Sequence, residues 1–235
     1  MLRQFVLNNN FKLIVAIETP QKLSRIGHSQ KCASFTDLAN QTITCEYKEL
    51  KDDSSRAILK HLIADRLKSI PISGNEASKS QYVCSYLVAG VNLYEGKFVL
   101  RPEKNITGPN GHGPVDFAID LLQSAKTVGV TQVKDEDFYK GIAQNAVQLE
   151  SALSNRKRKA SEGDVFTGKT FGIITDAEKW YFMECSLVNE GKPSFKLSKP
   201  VVVVYGTESM EGNVERVLGH IAWFLEEAQK PDSDS

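Results

Sequence analysis

The sequence lacks any long apolar run, and its 235 residues carry no net charge. A membrane-spanning helix needs ~20 consecutive apolar residues, whereas apolar runs such as Val201 to Tyr205 are only as long as a strand. Because 29 Lys and Arg residues balance 29 Asp and Glu residues, no overall positive field attracts nucleic acid or an anionic membrane. We therefore expect no membrane association, and a polyanionic partner must be bound by a local basic patch.

Cysteine is scarce, and the four cysteines are isolated from one another. They form no CxxC pair and have no histidine at zinc-finger spacing, which argues against a zinc module and against a disulfide framework. Such thiols are typical of a reducing compartment. The fractions of hydrophobic residues, 41%, and of charged residues, 25%, are ordinary for a folded chain, whose length allows one domain or two small ones.

The first part of the chain predicts an extension of strands and one helix. Met1 to Ile17 alternates polar and apolar residues, and no signal peptide is visible there. Phe5 to Glu18 has the pattern of a hairpin, Thr42 to Leu50 that of a strand, and Asp53 to Leu67 that of an amphipathic helix. We assign residues 1–72 to this extension, whose role the sequence leaves open.

Residues 73–229 are predicted to form the main domain, and residues 230–235 a disordered polar tail. Helical spacing covers Glu76 to Ala89 and Phe138 to Ser154. Strand patterns between and after these helices cover Lys97 to Arg101, Pro114 to Leu122, Thr127 to Lys134, Phe171 to Thr175, Trp180 to Leu187, Phe195 to Leu197 and Val201 to Tyr205, before a closing helix from Val214 to Leu225. The pattern predicts a mixed α/β fold of the α+β kind, with a mixed central sheet flanked by helices.

A few polar residues fall at particular places in this pattern. Asp116 lies early in the second predicted strand, and Gln132 and Lys134 lie two residues apart near the end of the third. Alternation along a strand puts this pair on one face of the sheet. Gln144 lies on the following helix, with Gln148 one turn later on the same side. We expect these side chains to converge at one edge of the sheet.

These stretches resemble the PD-(D/E)XK nuclease superfamily, whose αβββαβ core carries an Asp, then Glu-x-Lys, then often a helical Gln. The matching residues are Gly113 to Asp116, Gln132 to Lys134, and Gly141 to Gln144. More narrowly, three segments resemble the nuclease-like C-terminal domains of Crinkler-type effector proteins, over roughly residues 75–225: GHGPVDFAI, VTQVKDEDFYKGIAQNAVQL and FGIITDAEKWYFM. The resemblance implies a restriction-endonuclease-like fold.

The resemblance also implies a metal-dependent endonuclease that hydrolyses phosphodiester bonds, in DNA rather than RNA, with Mg²⁺ or Mn²⁺ as cofactor. The implied metal ligands are Asp116, Gln132, the backbone carbonyl of Val133, and Glu76 as a further carboxylate. Lys134 would orient the attacking water or offset charge on the phosphoryl oxygens. The implied catalytic set is Asp116, Gln132, Lys134 and Gln144, the last of which would position Lys134 or contact the phosphate backbone.

Gln132 departs from the family pattern, which expects Glu or Asp at this position. A neutral amide binds Mg²⁺ less strongly than a carboxylate does. Glu76, Asp120, Asp135 or Glu136 could supply the missing charge. Two hypotheses therefore stay open: a working nuclease, or a degenerate nuclease fold that serves as a module binding nucleic acid or protein.

The basic tetrad of Arg156, Lys157, Arg158 and Lys159 is the densest run of positive charge in the chain. It is a candidate nucleic-acid-binding patch, a candidate nuclear import signal, or a solvated helix end. The expected localisation is the nucleus, of a host cell after secretion if the chain is an effector, or the cytoplasm. A homodimer is compatible with the sequence.

Several other residues have simpler interpretations. Glu46-Tyr47-Lys48 is a second Glu-x-Lys, but Asp37 upstream of it does not lie in a strand-like segment. His112 is interpreted as a loop residue rather than a base, because this chemistry needs no imidazole. Trp180 and Trp223 are interpreted as core anchors rather than as platforms for base stacking.

Overall fold

A computed structural model describes residues 6–7, 42–43, 47–50, 53–108, 111–159, 168–188 and 192–230. Most of the hairpin predicted at Phe5 to Glu18 therefore lies outside the described residues, as do Asp37, Glu46 and residues 231–235 of the tail. The boundary predicted between residues 72 and 73 stays a prediction. Leu59 and Ile63, N-terminal to it, belong to the same buried core cluster as the residues that follow.

Helices cover four long segments of the described chain. They are α1 (Asp53–Ser69), α2 (Glu76–Asn92), α3 (Phe138–Lys159) and α4 (Met210–Glu227). The Asn75 side chain caps α2 by accepting the backbone N–H of Ser78 at 3.1 Å. Asp137 likewise accepts the backbone N–H of Lys140 at 3.0 Å, just before the start of α3.

The strands form a large mixed sheet and a small one. They are β1 (Val6–Leu7), β2 (Thr42–Ile43), β3 (Phe98–Pro102), β4 (Asn105–Gly108), β5 (Gly111–Pro114), β6 (Phe117–Leu121), β7 (Thr127–Val133), β8 (Lys169–Thr175), β9 (Lys179–Val188), β10 (Lys192–Ser198) and β11 (Val201–Val202). The large sheet has the order β2-β10-β9-β8-β7-β6-β3, and β11 also pairs with β9. β7 and β8 run parallel, whereas β3, β6 and β7 are antiparallel neighbours.

The predicted fold class is confirmed. Counting along the chain, α2, β3, β6, β7, α3 and β8 follow one another in the αβββαβ order, in a mixed sheet flanked by helices. α2 and α4 contribute to the core on one face of the sheet, where Ile119, Val133 and Phe171 are buried. α3 covers the other face, where Val130 and Ile174 are buried.

The hairpin of β4 and β5 is an element that the sequence pattern did not predict, because its glycines and proline are typical of a loop. It packs on α3, where a Cβ added to Gly108 would lie 2.2 Å from the Ser151 hydroxyl oxygen. Glycine thus allows the close approach of the hairpin to the helix. His112 lies in β5 and is exposed, so its interpretation as a loop residue is corrected to an exposed strand residue.

Trp180 is fully buried, and its indole N–H donates to the Ala177 carbonyl at 2.9 Å. Trp223 is half-buried and packs on the same core. Both positions agree with the interpretation of the two tryptophans as core anchors.

Candidate active site

Asp116 lies in a bend between β5 and β6, one residue before the strand in which it was expected. Its Oδ2 atom accepts the backbone N–H of Val133 at 2.8 Å. β6 pairs with β7 so that Phe117 lies opposite Thr131. Continuing this antiparallel register by one residue puts Asp116 beside Gln132. The carboxylate is therefore held at the end of β7, next to the predicted Gln-x-Lys residues.

Gln132 and Lys134 share one face of the sheet, as the alternation predicted. Val133 belongs to the core on the α2 and α4 side, whereas Val130 belongs to the core under α3. Strand alternation then puts Gln132 and Lys134 on the α3 side with Val130. Gln132 is buried, and the backbone N–H of Lys134 donates to the Thr175 carbonyl at 2.8 Å.

Gly141 allows the first turn of α3 to lie directly on the Lys134 side chain. A Cβ added at Gly141 would lie 2.8 Å from Cγ of Lys134 and 3.0 Å from Cγ2 of Ile174. Both distances are shorter than ordinary carbon contacts. The bare backbone of Gly141 thus confines the aliphatic part of Lys134, whose ammonium group lies beyond this contact.

The glutamines of α3 have different environments. Gln144 is half-buried, and its role toward Lys134 or a phosphate stays a prediction. Gln148 is buried, and its amide nitrogen lies 3.4 Å from the carbonyl oxygen of Pro114, two residues before Asp116. The amide oxygen of Gln148 has no hydrogen-bond partner among the described residues. α3 therefore brings Gln148 to the segment that carries Asp116.

The first turn of α2 brings a cation, rather than a buried carboxylate, to the loop after β7. Glu76 is exposed in this turn. Lys79, one turn later, is buried and forms an ion pair with Asp135, the residue that follows Lys134. Helical periodicity gave no signal for this contact, because it does not tell which loop meets the end of a helix. The role of Glu76 as a further metal ligand stays a prediction.

Asp120 has a structural environment. It is buried, and its carboxylate oxygens lie 2.7 and 2.6 Å from the Lys104 ammonium nitrogen. The Thr127 hydroxyl also donates to it at 2.9 Å. Asp120 lies four positions after Asp116, which corresponds to about 13 Å along a strand. Of the acids considered as substitutes for the missing carboxylate, Glu76 and Glu136 are exposed, and Asp135 is bound to Lys79.

Three aromatic side chains beside this strand end were not identified from the sequence. The registers pair Gln132 with Ile174 and Ile174 with Tyr181, so these residues form a row across β7, β8 and β9. Phe138 packs on Tyr181 with ring centroids 5.3 Å apart. Burial raises the pKa of Tyr181, as do, to a smaller extent, the neighbouring Tyr139 and Asp176. In the sequence, the two adjacent aromatic residues of the segment DEDFY, directly after the Gln-x-Lys residues, were the signal that could have indicated this aromatic group.

The oxygen donors at this site fit a hard divalent cation. Among the residues that the structure describes, no three His, Cys, Asp or Glu side chains are grouped to hold a metal. Mg²⁺, however, is commonly bound by one or two carboxylates, substrate phosphates and water. The Asp116 carboxylate and the Gln132 amide oxygen are hard donors of the required type. The donor set therefore suits Mg²⁺ or Mn²⁺, with less negative charge than two carboxylates would supply.

The remaining candidates lie elsewhere. Arg156 to Lys159 form the last turn of α3, and their side chains lie outside the described residues. Lys48, of the second Glu-x-Lys, forms an ion pair with Glu226 of α4 at 2.7 Å. A hydrogen bond to Glu226 raises the pKa of Lys48, which is thus engaged away from the candidate active site.

None of the described helices is both long and apolar enough to cross a membrane.

The αβββαβ order, with a carboxylate and a lysine at the end of its third strand, agrees with the restriction-endonuclease-like fold that the sequence resemblance implied. No protein-family model matches the sequence. The chain is 54% identical over 245 residues to Crinkler effector protein 1 of Rhizophagus irregularis. The alignment covers 99% of this chain and 52% of that protein, so the chain spans about half the length of its relative. The resemblance to Crinkler-type effector proteins is thereby confirmed.

A solved structure of the type IIG restriction endonuclease BpuSI is also similar to this chain. The sequence identity is 15% and the TM-score is 0.46. The similarity covers 68% of this chain and 18% of the endonuclease.

Proposed function

We propose that this chain is a metal-dependent endonuclease domain that hydrolyses phosphodiester bonds in DNA. The observation that supports the proposal most is the hydrogen bond between the Asp116 carboxylate and the Val133 backbone, which holds the acid beside Gln132 and Lys134. A carboxylate, an amide oxygen and an ammonium group at one strand end are the residue types that phosphodiester hydrolysis uses.

Each residue has a distinct role in this proposal. Asp116 and Gln132, with the Val133 carbonyl, would hold Mg²⁺ or Mn²⁺ through their oxygens. The bound ion supplies Lewis-acid chemistry, which lowers the pKa of an attacking water and offsets charge on the phosphate. Lys134 orients the water or stabilises the charge that develops on the phosphoryl oxygens. Its confinement against Gly141 limits the conformations available to it, which favours a productive orientation.

The relative's name adds a setting for this activity. Crinkler effector protein 1 is by name an effector, and we propose that this chain likewise acts in a host cell, in the nucleus. The tetrad of Arg156 to Lys159 would serve as the import signal or as a contact to DNA phosphates. Replacing the four residues with Gln in a fluorescent fusion should move the protein out of the nucleus if the tetrad directs import.

Nicking of supercoiled plasmid by the purified chain tests the activity. The wild type should nick plasmid with Mg²⁺ or Mn²⁺ and not with EDTA, and Asp116→Ala should abolish the nicking. Asp65→Ala is the matched control, because it removes an exposed acid of α1 that pairs with Lys68. Equal nicking by the two variants, or nicking that EDTA leaves unchanged, would refute the proposal.

A second function is favoured by one observation, the amide of Gln132 at a position where the family pattern expects a carboxylate. A degenerate site of this kind would serve as a module that binds nucleic acid or protein without cleaving it. In that case the wild type binds oligonucleotides, and neither the wild type nor Gln132→Glu nicks plasmid with any divalent metal.

A further inference from the structure

Beside the candidate active site, Phe138, Tyr139 and Tyr181 form an aromatic group that the proposed hydrolysis does not use. Tyr139 is 53% exposed, although it is a large aromatic residue. Phe138 and Tyr181 form a half-buried pair with ring centroids 5.3 Å apart, and Tyr139 is among the neighbours that raise the pKa of Tyr181. An exposed ring next to an aromatic pair, at the start of a helix, offers a flat ligand a surface on which to stack.

The aromatic group lies close to the strand end that carries Asp116. Gln132, Ile174 and Tyr181 occupy one row across three neighbouring strands, so Gln132 and Tyr181 are about 10 Å apart at their Cα atoms. Tyr139 belongs to the same first helical turn as Gly141, which packs on Lys134. A ligand bound through a phosphate near Lys134 could therefore reach the Tyr139 ring.

Charges of both signs lie around these rings. The Lys179 ammonium group lies 6.0 Å from the centre of the Phe138 ring. Of the acids nearby, Asp137 accepts a backbone N–H at the start of α3, and Asp176 accepts the backbone N–H groups of Glu178 and Lys179. Asp135 and Glu136 are also exposed in the segment before Phe138, so Lys134 and Lys179 are the cations that would bind a phosphate here, against the repulsion of these acids.

We propose that Tyr139, exposed beside the pair of Phe138 and Tyr181, stacks on a base of an unpaired nucleic-acid strand next to the phosphate bound near Asp116. A base inside a duplex is covered by its neighbours, so the ring selects a single strand, a frayed end or a flipped nucleotide. The inference rests on the proposed function for the location of the phosphate. It assigns to that site a preference for unpaired substrate.

Equilibrium binding in EDTA tests the proposal without cleavage, by fluorescence anisotropy of a labelled 12-nucleotide single strand. Tyr139→Ala should weaken binding about 5- to 150-fold, which corresponds to the loss of one stacked base. Tyr139→Phe should bind as the wild type does, because it keeps the ring. Leu122→Ala is the matched control, since Leu122 is 52% exposed and lies just past the other end of β6 from Asp116, and it should leave binding unchanged.

Two further oligonucleotides distinguish stacking of a base on Tyr139 from a contact that does not involve an unpaired base. A single strand with abasic positions should bind the wild type and Tyr139→Ala equally, and a blunt duplex should be nearly insensitive to the variant. The proposal is overturned if Tyr139→Ala binds the single strand as the wild type does. Equal losses with Leu122→Ala, Tyr139→Phe or the abasic strand would also overturn it, as would a wild type that binds no single strand.

The nicking experiment distinguishes this failure from that of the proposed function. If binding depends on Tyr139 but no metal-dependent nicking occurs, the inference stands and the proposed endonuclease activity is refuted. If nicking depends on Asp116 but Tyr139→Ala does not change binding, only the stacking inference is refuted.

Discussion

Lys79 of α2 forms an ion pair with Asp135, the residue directly after the candidate catalytic Lys134. The two partners differ in exposure, since the Lys79 side chain is 8% exposed and that of Asp135 is 47% exposed. Removing the exposed partner leaves a buried ammonium group without compensation, whereas removing the buried partner leaves an acid that water can solvate. The pair also connects α2 to the loop that carries Lys134.

We therefore predict that Asp135→Asn destabilises the protein more than Lys79→Met does. The expected losses in the free energy of unfolding are about 1–3 kcal/mol for Asp135→Asn and about 1 kcal/mol or less for Lys79→Met. Urea denaturation followed by circular dichroism measures both. An equal or larger loss for Lys79→Met would show that the ammonium group does not depend on Asp135.

Gly141→Ala should destabilise the protein although alanine favours helices. The added Cβ would lie 2.8 Å from Lys134 Cγ and 3.0 Å from Ile174 Cγ2, and relieving this overlap should cost about 1–2 kcal/mol net. Gly212→Ala in α4 is the matched control, because nothing lies within 4 Å of its added Cβ. That variant should gain about 0.5–1 kcal/mol.

Thermal denaturation of the two variants gives the comparison directly. If Gly141→Ala is stabilised as much as Gly212→Ala, then α3 does not lie against Lys134 as closely as described. Nicking by Gly141→Ala should also fall, since the first turn of α3 has to move away from Lys134.

The order of the helices and strands could be predicted, and so could the shared sheet face of Gln132 and Lys134. Both follow from the spacing of residues within single segments. The β4 and β5 hairpin could not be predicted, since Gly108 allows a close approach to Ser151, which is distant in sequence. The contact of Lys79 with Asp135 and the row from Gln132 to Tyr181 depend on helix docking and on strand register. Neither can be read from the periodicity of one segment.

Cys185 should make stability depend on alkaline pH. Burial, with smaller effects of Glu150 and Glu184, raises the pKa of the Cys185 thiol well above its usual range. The folded state therefore keeps the proton, while the unfolded thiol loses it above about pH 8.5, so stability is complete below that pH and falls above it. Between pH 8 and 9.5 the wild type should lose about 1 kcal/mol more than Cys185→Ala.

Urea denaturation of both proteins at several pH values checks this difference. Comparing slopes cancels the cavity that the alanine leaves and the ionisation of the other residues. Parallel pH profiles would mean that the Cys185 thiol ionises as freely in the folded protein as in the unfolded chain.

The tetrad of Arg156 to Lys159 should set the salt dependence of nucleic-acid binding. Each phosphate contact contributes about 0.9 to the slope of log affinity against log salt, so replacing all four residues with Gln should reduce the slope by up to about 3.6. The matched control replaces four exposed lysines elsewhere with Gln: Lys68, Lys97, Lys199 and Lys230. If both variants change the slope equally, the tetrad has no special role in binding.

Calorimetric titration of Mn²⁺ into the wild type, Asp116→Ala and Gln132→Glu tests most directly whether this strand end holds a metal. We predict measurable binding by the wild type and none by Asp116→Ala. Binding by Gln132→Glu should be about tenfold tighter, equal to ~1.4 kcal/mol, because a second carboxylate replaces the amide. Heat no greater than that of dilution in all three proteins, or equal binding by the wild type and Asp116→Ala, would contradict the assignment of Asp116 and Gln132 to a metal site.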